Sequence, residues 1–548
     1  MKLVIIGAVA AGSSAAAKAR RNNETTQITV YEKDVDISYS GCTMPYYLGG
    51  LVTNSDDLTP RDSKYFKDTY NINIITSHEV MAIDSVNKQL TVKNLLTDQM
   101  FIDTYDKLII ATGATSIVPP IKGVQQNHVF SLRNIRNMYQ IDNFIKTNKP
   151  KSAVVVGTGF IGLELAENMT HLGICVTMVE KMNQVSPGLD IDMAIYVENH
   201  LKENGVIVKK NANVVEIDKN NVLLEDGTAI KGELVIIATG VKPNTKLAKE
   251  CGIELGRFGG ITVNNKMETS IKDIYACGDS IEQFHVISGK PTYRPLGSTA
   301  NKTGRIAGNN ATGGNMTFKG VLGTAIYKVF DLAVAQTGYT EKEALNEGYE
   351  IIISHNIKPN KPEYLGGKEL IIKTIADKSD GRILGAQIIG PQGVDRRIDV
   401  FATAITFKAT AENLMDLDLS YAPPFSTSKD PVMYSGMIIN NALKYGRTQY
   451  TAKQIMELIQ SDKKYTIIDT RSKLNYEKGH IPTSINIPLV KFRDEIGSID
   501  KDQIIITYCN KGITGNATQN ILINLGFKQV YSLSGGYKTF VASTKSNV

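Results

Sequence analysis

No stretch of this chain carries the roughly 18 apolar residues in a row that a membrane-spanning helix needs, so no membrane partner is expected. Cysteine is scarce: five in 548 residues, at positions 42, 175, 251, 277 and 509, each standing alone. They make neither a disulfide framework nor a zinc spacing, and no metal is expected. In a reducing compartment a lone cysteine in a special context is a reactive-thiol candidate. Neither charge sign dominates. Sixty-one Lys and Arg stand against 55 Asp and Glu, and a net charge of +6 on so long a chain points to no nucleic-acid partner. The start, Met1-Lys2-Leu3-Val4-Ile5-Ile6-Gly7, lacks a charged n-region, an apolar h-region and a cleavage site, and reads as cytoplasmic.

What is present is a glycine turn used twice. Lys2 to Ile6 reads as a short strand, Gly12 to Arg21 as an alanine-rich helix, and Gln27 to Tyr31 as a strand ending at Glu32. That order is the first half of a dinucleotide-binding unit. It returns as strand Ala153 to Val156, turn Gly157-Thr158-Gly159-Phe160-Ile161-Gly162, helix Leu163 to Leu172, and strand Cys175 to Val179 before Glu180. Two units predict two dinucleotides. In the second, Gly157 allows the tight turn, Gly159 lets the backbone approach a pyrophosphate, and Gly162 lets helix and strand pack closely. Glu180 would accept hydrogen bonds from a free ribose and repel a 2′-phosphate, which predicts NADH. Lys181 offsets that repulsion in part and leaves NADPH as the alternative. The competing reading is a structural turn without cofactor. The first motif, Gly7-Ala8-Val9-Ala10-Ala11-Gly12, has Val9 where the middle glycine is expected. Glu32 with Lys33, Thr112-Gly113 and Gly278-Asp279 support it as a set, and together they read as an FAD site. Gly240 and Ala300 complete the cofactor-binding positions.

The length is too great for one hydrophobic core and predicts three or four domains. The expected fold is α/β. Residues 1–150 and 246–320 form an FAD-binding domain, and 151–245 an NAD(P)H-binding domain, both Rossmann-like. Residues 321–445 read as an α+β dimerisation domain, 446–455 as a linker, and 456–548 as a small α/β domain with short strands between helices.

Cys42 lies in Ser38-Tyr39-Ser40-Gly41-Cys42-Thr43-Met44-Pro45-Tyr46, after the first acid. Disulfide reductases with two dinucleotide units carry a redox cysteine there, usually in a Cys-x-x-x-x-Cys pair. Here the residue five on is Tyr47. Electrons must then go to a disulfide between Cys42 and something exogenous. The plainer alternative is a buried structural cysteine.

Residues 1 to about 445 resemble the coenzyme A-disulfide reductases and coenzyme A-persulfide reductases. The matching pieces are Gly7-Ala8-Val9-Ala10, the helix end Arg20-Arg21, the segment around Cys42, the Gly157 turn and Tyr421-Ala422-Pro423-Pro424-Phe425-Ser426. The resemblance implies that Cys42 forms a mixed disulfide or persulfide with coenzyme A. It also implies a homodimer in which Tyr421 and Tyr364 reach Cys42 from the partner subunit, with Tyr421 also beside the cofactor. Ser14, Lys18, Arg21, Ser38, Gly41 and Lys429 match substrate-binding positions. Cations near a helix end suit coenzyme A phosphates, although Lys18, Arg20 and Arg21 would equally make a solvated helix face. Gly41 stands where some relatives carry asparagine, which removes one substrate hydrogen bond and widens the pocket.

The last 95 or so residues resemble a single rhodanese domain, through Asp469-Thr470-Arg471, Gly479-His480-Ile481-Pro482, Ile485-Asn486-Ile487-Pro488 and Gly535-Gly536-Tyr537. The catalytic sulfur would be Cys509, surrounded by backbone N–H groups of its loop. Many such loops end in arginine where Thr514 stands. Its absence disfavours anionic thiosulfate and favours an organic persulfide, with Lys511 as the remaining cation. A phosphatase needs arginine six after the cysteine and finds Gly515. His480 reads as structural. The resulting expectation is an FAD-dependent enzyme, driven by NADH or NADPH, that reduces coenzyme A persulfide or other low-molecular-weight persulfides. Coenzyme A disulfide reduction, an NADH oxidase or peroxidase, and a sulfur carrier or sensor are the alternatives.

Overall fold

The computed structural model describes residues 1–545, which fall into two compact units. One holds Met1–Asn183 with Gly205–Gly323, and the other holds Gln184–Asn204 with the chain from Thr324 onward. No helix among the described residues is long and apolar enough to cross a membrane.

The first unit contains two parallel five-stranded sheets. One runs Ile274–Ala276, Lys107–Ile110, Lys2–Ile6, Gln27–Tyr31, Asn73–Ile75. The other runs Ile207–Lys209, Cys175–Val179, Ser152–Val156, Leu234–Ile237, Val129–Phe130. Their central strands are unbroken apolar runs because both faces are covered; Leu3, Val4, Ile5, Leu108, Ile109 and Ile110 are fully buried. The glycine turns sit at the C-terminal ends of Lys2–Ile6 and Ser152–Val156, as the repeated pattern predicts. Helices begin at Ala10 and Phe160, two and three residues earlier than expected, because the last glycine of each motif is already inside the first turn.

Helix Ala10–Asn22 lies against helix Gly297–Ala311 at backbone contact. A Cβ on Gly304 would stand 2.2 Å from the Ala11 carbonyl oxygen, and one on Gly308 2.1 Å from that of Ala15. The alanine-rich helix and the glycine pair are therefore one packing device.

The second unit holds an antiparallel sheet, Ala325–Val329, Leu332–Gly338, Ile383–Gly390, Glu369–Asp377, Ile351–Pro359, with helices Val394–Thr406 and Pro431–Tyr445 packed on it. A parallel sheet follows: Gln449–Tyr450, Gln529–Leu533, Ile504–Tyr508, Tyr465–Asp469, Ile485–Asn486. The segment expected as a linker, 446–455, differs from that reading. Gln449–Tyr450 is the edge strand of the last sheet, and Ala452–Ile459 is a helix whose Thr451–Gln454 capping box fixes its start. A two-residue strand is too short to carry a sequence pattern.

A buried charge cluster ties the parts of this unit together. The Lys373 ammonium, fully buried, lies 2.9 Å from both carboxylate oxygens of Asp192 and from Glu341, and 3.2 Å from Asp190. Burial alone would lower its pKa; the three carboxylates reverse that and hold it charged. Asp192 also meets His355 Nε2 at 2.9 Å, and His355 Nδ1 meets Ser534 Oγ at 2.9 Å. Ser534 follows the last strand of the parallel sheet, so this chain of contacts fastens the C-terminal domain to the antiparallel sheet.

Gly304→Ala should lose about 1–3 kcal/mol of stability through helix separation and melt at lower temperature. Gly297→Ala, whose Cβ would meet nothing within 4 Å, should melt as the unaltered protein does. Equal melting of both variants would contradict the close-approach account.

Candidate active site

A cavity of about 860 Å³ opens at the first glycine turn. Gly7, Val9, Glu32, Lys33, Thr112, Gly113 and Arg133 are among its lining residues. A Cβ on Gly7 would stand 2.3 Å from the Ala111 carbonyl oxygen, and one on Gly12 1.8 Å from that of Gly7. Those two glycines are demanded by the fold itself. Val9 caps helix Ala10–Asn22 with φ −90°, outside the left-handed region that favours glycine. Glu32 accepts from the Ala8 N–H at 2.8 Å and the Asp34 N–H at 3.1 Å, one on each oxygen. Burial pushes its carboxyl up, and the two N–H groups pull it down. Each oxygen keeps a lone pair for a ribose hydroxyl. Gly278 takes φ 77° with its N–H on Thr303, and Ala300 is buried close by. Asp279 pairs with Arg133 at 3.0 Å. The size and lining of this cavity fit a dinucleotide such as FAD.

At the second turn, Gly157 has φ 103°, and its Cβ would stand 2.5 Å from the Ala238 carbonyl oxygen; that of Gly162 would stand 2.3 Å from Gly157. Gly159 has ordinary φ and open space where its Cβ would be, which is the room a pyrophosphate needs. Phe160 and Ile161 begin the helix there, and Gly240, with φ 106°, follows the adjoining strand. Glu180 accepts from Thr158 N–H (3.0 Å), Thr158 Oγ1 (2.6 Å) and Met182 N–H (2.9 Å), so its Oε1 retains the capacity to bind ribose. These residues fit a nicotinamide dinucleotide.

Cys42 is exposed in the short turn Gly41–Thr43 that leads into helix Met44–Leu48. That helix packs on Phe160–His171, with Tyr46 Oη donating to Glu164 Oε1 at 3.2 Å. Although the residue has an open face, the protein packed around its sulfur pushes the thiol pKa up; Glu164 and Asp279 add to this and Arg133 opposes it. Burial, with Glu167 beside it, raises the Glu164 carboxyl to about 7, while the Tyr46 hydrogen bond works the other way. Cys277, by contrast, is buried and pushed up to about 12, an inert thiol. Arg133 and Glu164 escaped the sequence reading. Arg133 lies in no motif, and the one available signal for Glu164 is an acid two residues after Gly162, set between the apolar Leu163 and Leu165.

The substrate positions divide. Ser14 Oγ donates to Asn301 Oδ1 at 2.5 Å. Lys18 is half-buried and Arg21 exposed on the same helix, whereas Arg20 is buried and spends its guanidinium on the carbonyls of Asn23, Glu24, Tyr70 and Asn71. Arg20 is thus structural, and not part of a solvated face. Ser38 holds φ 49°, a strained conformation on the loop before Cys42. Gly41 has ordinary φ, and a Cβ there would make ordinary 3.8 Å contacts with Met44 and Tyr39, so the backbone does not require glycine. Tyr364, Tyr421 and Lys429 belong to the second unit and are exposed there, Tyr364 to 80% and Tyr421 to 53%. The Tyr421 segment is anchored by Arg397, buried, whose guanidinium forks onto Asp430 at 2.8 and 3.1 Å. Asp430 also accepts from Ser426 Oγ and caps the next helix.

Cys509 ends strand Ile504–Tyr508 and is buried, with the Gly512 N–H on its sulfur at 3.1 Å. Gly512 takes φ 95°. The Cys509 carbonyl accepts from Tyr537 N–H at 2.7 Å and that of Asn510 from Lys538 N–H at 3.1 Å. A Cβ on Gly536 would stand 2.4 Å from the Cys509 oxygen, which explains the Gly535-Gly536 pair. Thr514 meets Thr470 at 3.1 Å, hydroxyl to hydroxyl. His480 is exposed, stacks on Tyr476 and contacts its carbonyl. Lys511 is not a remaining free cation: it is ion-paired with Glu369 of the antiparallel sheet.

The chain belongs to the pyridine nucleotide-disulphide oxidoreductase family, whose pattern matches residues 1–299; its dimerisation domain matches 324–431, and a rhodanese-like domain matches 451–543. The chain is 37% identical to an NADH oxidase of Methanocaldococcus jannaschii, over 79% of this chain and 97% of that protein. It is 32% identical to a coenzyme A disulfide reductase of Staphylococcus haemolyticus, over 79% and 98%. Two solved structures span nearly the whole chain at 36% identity. Reduced Bacillus anthracis CoADR-RHD gives a TM-score of 0.96 with 99% and 98% of the two chains covered. An NAD-dependent persulfide reductase from A. fulgidus gives 0.92 with 98% and 100% covered. The protein is thus an oxidoreductase of this family carrying a rhodanese domain.

Glu164→Gln removes a negative charge beside Cys42. Above about pH 7, where Glu164 is ionised, and below the thiol pKa, the rate of Cys42 alkylation by iodoacetamide should rise about threefold, and its pH profile should move to lower pH. An unchanged profile would show that Glu164 does not act on the thiol.

Proposed function

We propose that this protein is an FAD-dependent, NAD(P)H-driven reductase of coenzyme A-linked persulfide or disulfide, in which the rhodanese domain transfers sulfane sulfur. The observation that carries this reading is an exposed thiol, Cys42, in a segment without a second cysteine, on a chain that also holds Cys509 with the Gly512 N–H on its sulfur. A reductase with two cysteines closes its own disulfide; a lone thiol must exchange with sulfur brought by substrate. The names of the relatives, a coenzyme A disulfide reductase and a persulfide reductase, support that exchange.

Gly7, Val9, Ala10, Gly12, Glu32, Lys33, Thr112, Gly113, Gly278, Asp279 and Ala300 would hold FAD. Gly157, Gly159, Phe160, Ile161, Gly162, Glu180 and Gly240 would hold the nicotinamide dinucleotide, with Glu180 favouring NADH. FAD, when bound, supplies two-electron transfer between nicotinamide and sulfur. Cys42 is the nucleophile. Its thiolate attacks the inner sulfur of coenzyme A persulfide, the S–S bond breaks and hydrosulfide leaves, giving a Cys42–coenzyme A disulfide. With coenzyme A disulfide the leaving group is coenzyme A thiolate. Two electrons and a proton then return Cys42 to thiolate and release coenzyme A. Arg133 is the nearby cation that favours the thiolate. Ser14, Lys18, Arg21, Ser38 and Lys429 would bind coenzyme A, and Gly41 leaves room for its arm. Tyr364 and Tyr421, with exposed rings, would complete the site from the second subunit of a homodimer. A cytoplasmic setting would keep the lone thiols reduced.

The likeness to an NADH oxidase favours a second reading, in which Cys42 cycles through a sulfenic acid. Cys42→Ser should abolish persulfide-dependent NADH consumption, by at least about 100-fold for loss of a nucleophile, while Cys509→Ser retains it with small persulfides supplied directly. Full activity in Cys42→Ser would sink the proposal. Rapid NADH consumption with oxygen or peroxide alone would select the oxidase reading.

A further inference from the structure

The cations around Cys509 are engaged, and one carboxylate that engages them comes from outside the rhodanese domain. Glu369 begins the strand Glu369–Asp377 of the antiparallel sheet. Its Oε1 pairs with Lys511, two residues after Cys509, and its Oε2 with Lys538. Lys538 is itself part of the loop's wall, since its N–H holds the Asn510 carbonyl. The third nearby cation, Arg471, forks onto Asp469 at 2.6–3.0 Å and reaches Asn510 Oδ1 at 3.3 Å. Thr514, where an arginine would add another charge, is turned onto Thr470. Burial would raise the Glu369 carboxyl, but the two lysines pull it below its ordinary value, so it stays ionised across the neutral range.

We propose that Glu369 is a specificity-determining residue of the Cys509 sulfur site: by pairing with Lys511 and Lys538 it offsets one of their two positive charges and holds both ammonium groups on itself, away from an anionic donor, and so selects organic persulfides over thiosulfate. This deepens the proposed function and rests on Cys509 accepting sulfane sulfur. In the selected reaction the Cys509 thiolate attacks the terminal sulfur of R–S–SH. The S–S bond breaks, R–S⁻ leaves with the electron pair, and Cys509–S–SH remains. With thiosulfate the same attack expels sulfite, a dianion that develops beside the loop. Cations free to meet it would lower the barrier; cations held by Glu369 do not. A rhodanese domain alone would expose both lysines at the loop, and the neighbouring domain changes its chemistry by contributing a single carboxylate.

The test uses the full-length protein and cyanide as sulfur acceptor, with thiosulfate and 2-hydroxyethyl persulfide as donors. Glu369→Gln should raise kcat/KM for thiosulfate about fivefold to tenfold, mostly through KM, and that gain should shrink with added salt. The value for 2-hydroxyethyl persulfide should stay within about twofold, since this donor lacks the sulfonate that the freed lysines would attract. The triple variant E369Q/K511Q/K538Q should lose the gain. Unchanged thiosulfate kinetics, equal changes for both donors, or a gain that survives in the triple variant would each overturn the proposal. Failure of both donors in the unaltered protein would overturn the sulfur-accepting role of Cys509, and this proposal with it.

Discussion

The proposed reductase site depends on backbone brought to backbone without intervening side chains. Helix Ala10–Asn22 reaches the sheet through Gly7 and Gly12, and reaches helix Gly297–Ala311 through Gly304 and Gly308. The same helix pair brings Gly278 against Ala11 and Ala300, and Asp279 pairs with Arg133, which lines the cavity. A Cβ at any of the four positions would force carbonyl oxygens and carbon within 2.4 Å of each other. The second glycine turn repeats the device at Gly157 and Gly162 and carries Glu164 to the helix that bears Tyr46, and so to the neighbourhood of Cys42. Packing thus determines the electrostatics of the thiol, because the helix that makes room for one dinucleotide also supplies the carboxylate that acts on Cys42.

The other sulfur site is governed by charge. Lys373, Asp192, His355 and Ser534 form a buried series of contacts from the antiparallel sheet to the residue just before Gly535-Gly536, which close over the Cys509 loop. Such a cluster is a specific fastener: removing Asp192 takes a partner from both the buried Lys373 ammonium and His355 Nε2. It holds the rhodanese domain so that Glu369 meets Lys511 and Lys538. The domain is consequently more than an appended module, since part of the environment of its Cys509 loop comes from a neighbouring fold.

Much of this was legible in the residues. Both glycine turns, their strands and acids, an α+β domain and the terminal α/β domain are legible from pattern, because glycine spacing and unbroken apolar strands record a backbone requirement directly; the antiparallel pairing of the α+β domain is not. Gly41 and Thr514 were likewise visible as departures from a motif. Other features were not legible, for reasons of distance or brevity. Gln449–Tyr450 is too short to show a period, so a strand reads as linker. Lys511 looked like a free cation because Glu369 lies far away in sequence and in another domain. Arg133 acts on Cys42 from outside any motif, and Arg20 sat beside Arg21 with nothing to show that it folds inward onto four carbonyls. Pairings across long sequence separations are set by the fold and leave no local trace.

The most direct test is to reduce the enzyme with NADH under anaerobic conditions, remove excess NADH, and add one oxidant at a time while following re-oxidation. The single-thiol account predicts rapid re-oxidation by coenzyme A persulfide or coenzyme A disulfide, with release of hydrosulfide or coenzyme A in stoichiometric amount. Re-oxidation by oxygen or peroxide alone, with neither sulfur compound accelerating it, would contradict the account.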